Sequence, residues 1–151
     1  MSTLAPWPVR SVIAGGCGTA VLTLAYIAER RLRATSSPVD YDDSDVPGQI
    51  VASIFHISRP TEHEELQLGY ALRGAYGSGF GLVHGLLRRR VGEPAATLAF
   101  GCTLVTMTLT MFPLFGHTPP PWRWPRGYLA TCLATHAAYA ATVGIVDDRL
   151  G

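Results

Sequence analysis

The chain has 151 residues, of which 48% are hydrophobic and only 15% charged, with a mean hydropathy of +0.21. A soluble domain of this length carries about a quarter charged residues, so the deficit points to a membrane protein. A formal net charge of +1 leaves no electrostatic footprint for nucleic acid, which is excluded as a partner.

Four apolar segments follow one another along the chain. The first, about 11–28, carries no charge and is followed by Glu29, Arg30, Arg31 and Arg33. No small-residue cleavage site leads into a polar mature domain, and the basic cluster follows the apolar run. The segment therefore reads as a retained helix rather than a signal peptide. A polar loop, about 34–65, comes next and holds seven of the eleven acids. Ser36-Ser37-Pro38 and Pro47-Gly48 break regular structure there. The short apolar run 49–57 is too short to cross a bilayer and reads as a half-buried interfacial helix. Asp40, Asp42, Asp43 and Asp45 lack the glycine and the twelfth-position glutamate of a hand-type calcium loop, so they read as a hydrophilic stretch.

The second segment, about 66–87, ends at Arg88-Arg89-Arg90. The third, about 94–115, opens on Pro94, suited to a first helical turn where its missing N–H costs nothing. Pro113 marks its far end. The connector that follows contains Trp122, Arg123, Trp124 and Arg126, residue types suited to the headgroup level, and its prolines keep it stiff. The fourth segment, about 128–146, closes at Asp147-Asp148-Arg149. Each is long enough for a hydrocarbon core of about 30 Å. Four spans place both termini on one side. Five arginines would lie on that side and six on the other, so the positive-inside rule decides little. The first span, with one arginine before it and three after, favours external termini.

Two of the segments echo each other. Arg73-x-x-Tyr76-Gly77-x-x-x-Gly81 and His136-x-x-Tyr139-Ala140-x-x-x-Gly144 each set one ionisable residue, one tyrosine and small residues at four-residue steps. Arg73 and His136 are thereby placed at the same depth. A charge inside a span is expensive and is a functional candidate by default. Arg73 either snorkels to the interface or faces the bundle. His136 is either a neutral, hydrogen-bonded side chain or a ligand. Tyr76 and Tyr139 share helix faces with them. His84 lies near the opposite end of its span, too far from His136 in depth for joint haem ligation.

Gly69, Gly77, Gly81 and Gly85 line one face of the second span, with Gly15 and Gly18 in the first and Gly144 in the fourth. Small residues at this spacing let helix backbones approach closely in lipid, within one bundle or between chains. Cys17, Cys102 and Cys132 each sit in an apolar segment and read as buried small hydrophobes, with no disulfide or zinc spacing.

These residues resemble several bacterial membrane protein families of unknown function, among them the YagU-like group. Such families show a small-residue first span and H-x-x-Y-G-x-x-x-G-type helices in spans two and four. The matching residues are Gly15, Gly18 and Thr19, then Tyr76, Gly77 and Gly81, then His136, Tyr139 and Gly144, and the likeness covers roughly two thirds of the chain. Arg73 stands where the pattern has a histidine. The resemblance implies no known reaction or substrate.

The expected fold is an all-α membrane protein, one domain over 1–151, with four transmembrane helices arranged as two tandem helical hairpins. A multi-pass protein of the bacterial inner membrane is expected. No nucleophile–base pair, phosphate loop or metal-ligand cluster stands out, so neither an enzyme nor a bound cofactor or metal is expected. The first functional reading is a structural or accessory subunit, packing as a homo-oligomer or within a larger membrane complex through its glycine faces. The alternative is a small transporter or channel for an ion or anionic solute, using Arg73 and His136. A third is a redox or lipid-modifying enzyme using His84 or His136.

Overall fold

The computed structural model of the chain describes residues 5–33, 53–54, 62–115 and 118–151. The acidic stretch from 34 to 61 and its short apolar run lie outside these residues, except for 53–54. The described residues contain four long α-helices and no strand.

Helix α1 spans Trp7–Arg33. It starts four residues ahead of the apolar run, because Pro8 sits in a first turn that tolerates it and the Pro6 carbonyl accepts from the Val9 and Arg10 amides. Helix α2 spans Glu62–Val91 and carries Arg88, Arg89 and Arg90 in its last turn, where cations complement the helix dipole. Gly92 then turns the chain with φ of +70°, a left-handed conformation that suits glycine, and donates its N–H to the Arg88 carbonyl. Helix α3 spans Ala95–Phe115 and includes Pro113 within its last turn. A single 3₁₀ turn, Pro121–Arg123, leads into α4, Arg126–Arg149.

Three of the helices are long and apolar enough to cross a membrane: Trp7–Glu29, Ala95–Phe115 and Arg126–Arg149. Helix α2 is the longest at 30 residues but is not apolar enough on its own. The expectation of four such spans is met by three. The physical reason is that α2 turns Gly77, Gly81, Gly85, Arg73 and His84 toward other helices, and all five are buried. A helix covered on that face needs less apolar surface than one that meets lipid all round.

The packing closes a ring in which α1 lies along α2 and α4, while α3 lies along α2 and α4. Successive helices run antiparallel. Ser11 faces Gly85 at one end of the α1–α2 pair and Tyr26 faces Arg73 at the other. Likewise Ser11 reaches Asp147, and Thr135 reaches Tyr26, along α1 and α4. Both chain termini therefore lie at one end, where Gly151 sits beside the Arg10 guanidinium.

Helices α1 and α2 touch backbone to backbone. A Cβ added to Gly15 would stand 2.6 Å from the Gly77 carbonyl oxygen and 3.0 Å from the Gly81 amide nitrogen. One added to Gly81 would run into the Ser11 carbonyl. Gly77 and Gly85 receive Thr19 and Ser11, Gly18 receives Tyr139 and Val143, and Gly144 receives Thr97. The side chain position of Gly69 lies outside the described residues.

Around this contact the core is Ala14, Phe100, Leu104, Tyr139, Ala140 and Val143. A second cluster at the far end joins Phe112, Trp124, Tyr128 and Cys132. Trp124 is buried there and its indole N–H donates to the Pro119 carbonyl at 2.6 Å, whereas Trp122 faces outward. Only one of the two connector tryptophans is placed to reach a headgroup layer. Cys17 and Cys102 are exposed rather than buried, since they fall on outward helix faces.

Gly81→Ala is expected to destabilise the bundle by about 1–3 kcal/mol, the usual range for overpacking, because its methyl group meets backbone that has no rotamer to yield. Gly79→Ala, whose methyl meets nothing within 4 Å, should be neutral or stabilising by up to about 1 kcal/mol. Reversible unfolding of both variants in mixed micelles checks the difference.

Candidate functional site

The bundle has two polar centres at different depths. The first is a cavity of about 340 Å³ among all four helices. Its walls are mainly apolar and include Leu22, Phe80, Leu104, Met107, Met111 and Phe112. Its polar lining comes from Thr19, Tyr26, Arg73, Tyr76, Thr108, His136 and Tyr139. The structure therefore brings Arg73, Tyr76, His136 and Tyr139 to one place.

Arg73 faces the bundle rather than snorkelling, with only 7% of its surface exposed. Its guanidinium carbon lies 5.8 Å from the centre of the Tyr26 ring, within cation–π range. Among the described residues no carboxylate pairs with it. His136 has both ring nitrogens engaged. Nδ1 lies 2.7 Å from the Cys132 carbonyl oxygen, and Nε2 lies 2.9 Å from Thr108 Oγ1. A carbonyl only accepts, so Nδ1 carries a proton. At Nε2 the threonine hydroxyl can either donate or accept, so it satisfies the ring in both cases. Tyr139 donates its hydroxyl to the Gly77 carbonyl at 2.5 Å, which ties α4 to α2 across the ring of helices.

The second centre sits at the terminal end and contains His84, which the cavity does not include. Asp147 is its hub, with 1% exposure. Arg88 spans two carboxylates, with Nη1 3.0 Å from Asp147 Oδ2 and Nη2 2.7 Å from Asp148 Oδ1. Ser11 donates to Asp147 Oδ1 at 3.4 Å, and Arg10 Nε stands 3.8 Å from the same oxygen. His84 is fully buried. Its Nε2 lies 2.8 Å from Glu93 Oε1 and its Nδ1 lies 3.8 Å from Asp147 Oδ2. Glu93 is held in turn by Thr97, whose hydroxyl donates to Oε2 at 2.8 Å. Every helix and the α2–α3 turn contribute to this cluster. Such a connected set can bury charge, since Asp147 and Asp148 face arginine and Glu93 is hydrogen-bonded by Thr97 and lies against His84.

His84 and His136 bond to Thr97 and Thr108 of the same helix, eleven residues apart, or about 16 Å of helical rise. They cannot share a ligand. Among the described residues no three His, Cys, Asp or Glu side chains are arranged to hold a metal ion.

Asp147, Arg88, Glu93 and Ser11 were not among the candidates that the sequence offered. Asp147 and Asp148 read as the polar end of a span and Arg88 as one of three flanking arginines. A signal was available: α2 and α4 run parallel, so the arginine run and the acidic pair that end them meet at one level.

Asp147→Ala should cost about 3–5 kcal/mol, the range for breaking a buried ion pair, because it leaves Arg88 and Arg10 without their buried carboxylate. Asp148→Ala, at a side chain that is two-thirds exposed, should cost less than about 1 kcal/mol. Unfolding midpoints in detergent for the two single variants separate the cases.

Comparisons with protein-family models, with curated proteins and with solved structures find no match for the chain. The YagU-like resemblance accordingly rests on the quoted span motifs alone.

Proposed function

We propose that this chain is a multi-pass protein of a bacterial inner membrane, with α2 as its fourth span, that binds an anionic solute in the central cavity for passage across the bilayer. Arg73 carries the reading. A guanidinium is not deprotonated in proteins, and an unpaired buried charge is costly. A buried arginine that lines a cavity and has no carboxylate partner among the described residues is best explained by an anion that arrives from outside the chain. The cavity's size and apolar walls also fall within the usual range for small-molecule sites, which often lie between helices of bundles. His136 and Tyr139, whose hydrogen bonds are made within the protein, hold the cavity's shape.

The competing idea of an accessory subunit drew on the glycine faces. Gly15, Gly77, Gly81 and Gly85 are covered by the α1–α2 contact, so replacing them with large residues would test folding before assembly. Nothing in the packing favours that idea over ligand binding.

Native mass spectrometry of the protein taken gently from its membrane tests the proposal. The wild-type chain should retain an acidic molecule at about one per chain. Arg73→Gln should weaken retention by about ten- to a hundredfold, the equivalent of the roughly 1.5–3 kcal/mol carried by a hydrogen bond to a charged group. Equal retention by the two proteins would sink the idea.

A further inference from the structure

The cavity's polar groups differ in whether they are available. Thr108 and His136 bond to each other, and His136 is also bonded to Cys132. Tyr139 donates to the Gly77 carbonyl, and Thr19 donates to the Gly15 carbonyl at 2.9 Å. Tyr26 and Tyr76 have polar or ring partners as well. Among the described lining residues, Arg73 alone presents a strong donor group with no hydrogen-bonded or carboxylate partner. The remaining wall is aliphatic, aromatic and thioether.

This inventory restricts the ligand. A hydrated inorganic anion or a dicarboxylate needs several donors to replace its lost water, and the described lining offers one unengaged donor group. A polyhydric solute would leave its hydroxyl groups against Leu22, Phe80, Leu104 and Met111 without partners. A molecule with a single anionic head and one apolar chain leaves nothing unsatisfied. Its head would take the planar fork of Arg73, which matches a carboxylate with two parallel hydrogen bonds. Its chain would lie along the apolar wall. Two methionines in that wall, Met107 and Met111, suit a flexible chain, since unbranched thioether side chains adapt to irregular shapes.

We infer that the cavity takes a singly charged amphiphile, such as a medium-chain carboxylate, with its head on Arg73 and its tail among Leu22, Phe80, Leu104, Met107 and Met111. This rests on the proposed anion site and narrows its ligand class.

Binding of butanoate, octanoate, decanoate, succinate and inorganic phosphate to the full chain in nanodiscs, against empty nanodiscs, tests the inference. Affinity should rise about fourfold for each methylene buried, from about 0.8 kcal/mol per CH₂, and Arg73→Gln should lower it at every chain length. Met111→Trp, which fills the tail region while leaving Arg73 in place, should weaken decanoate at least tenfold and butanoate by a much smaller factor. Arg73-dependent binding of succinate or phosphate as tight as that of decanoate would overturn the amphiphile while leaving the anion site standing. Decanoate binding that ignores Arg73→Gln would overturn it as simple partitioning. Failure of every probe to bind in an Arg73-dependent way would remove both the amphiphile and the anion site.

Discussion

The backbone contact between α1 and α2 is the constraint on which the rest of the bundle depends. Lipid provides no hydrophobic drive for helices to associate, so close packing and polar contacts must do it. At Gly15, Gly77 and Gly81 the two backbones meet with no side chain between them. That contact sets the axial register. One turn along from it, Thr19 faces Gly77, and about two further turns bring Tyr26 over Arg73. In the other direction Ser11 arrives beside Gly81, Gly85 and Asp147. A slip of one turn would displace both polar centres, so the glycines act on chemistry that they never touch.

The two centres show opposite ways of holding charge away from water. At the terminal end Arg88 and Arg10 face Asp147, Arg88 also faces Asp148, and His84 lies between Asp147 and Glu93. The ions compensate one another, and all four helices are tied by them. In the cavity Arg73 has, among the described residues, only an aromatic neighbour for its charge. The first arrangement explains how four helix ends stay together. The second is a poor way to stabilise a fold, which is why it argues for a ligand.

Much of this was legible in the chain. Apolar runs bounded by Pro94, the proline-rich connector and the charged clusters marked the four helices, although their ends moved by several residues. The echo between the Arg73 and His136 segments placed these residues at one depth, and both line the same cavity. Helix α2 was harder to weigh, because hydropathy adds residues without regard to face. Its glycines, Arg73 and His84 lower the sum although they point inward. The Asp147 cluster was hidden for a related reason. Charges just beyond a span read as its water-facing end, and only the parallel run of α2 and α4 turns Arg88 and Asp147 into partners. The connector posed the same problem on a smaller scale: Trp122 and Trp124 are equivalent by type, yet one is buried on Phe112 and Tyr128 and the other faces outward.

Phe100 stands between the two centres. It is fully enclosed, with its ring 5.5 Å from that of His84 on one side and 5.8 Å from that of Tyr139 on the other. A phenyl ring neither donates nor accepts a conventional hydrogen bond, so it carries no hydrogen-bonded link between Tyr139 of the cavity and His84 of the terminal cluster. A change at Phe100 would therefore be felt at both centres, through packing and not through a shared hydrogen-bond chain.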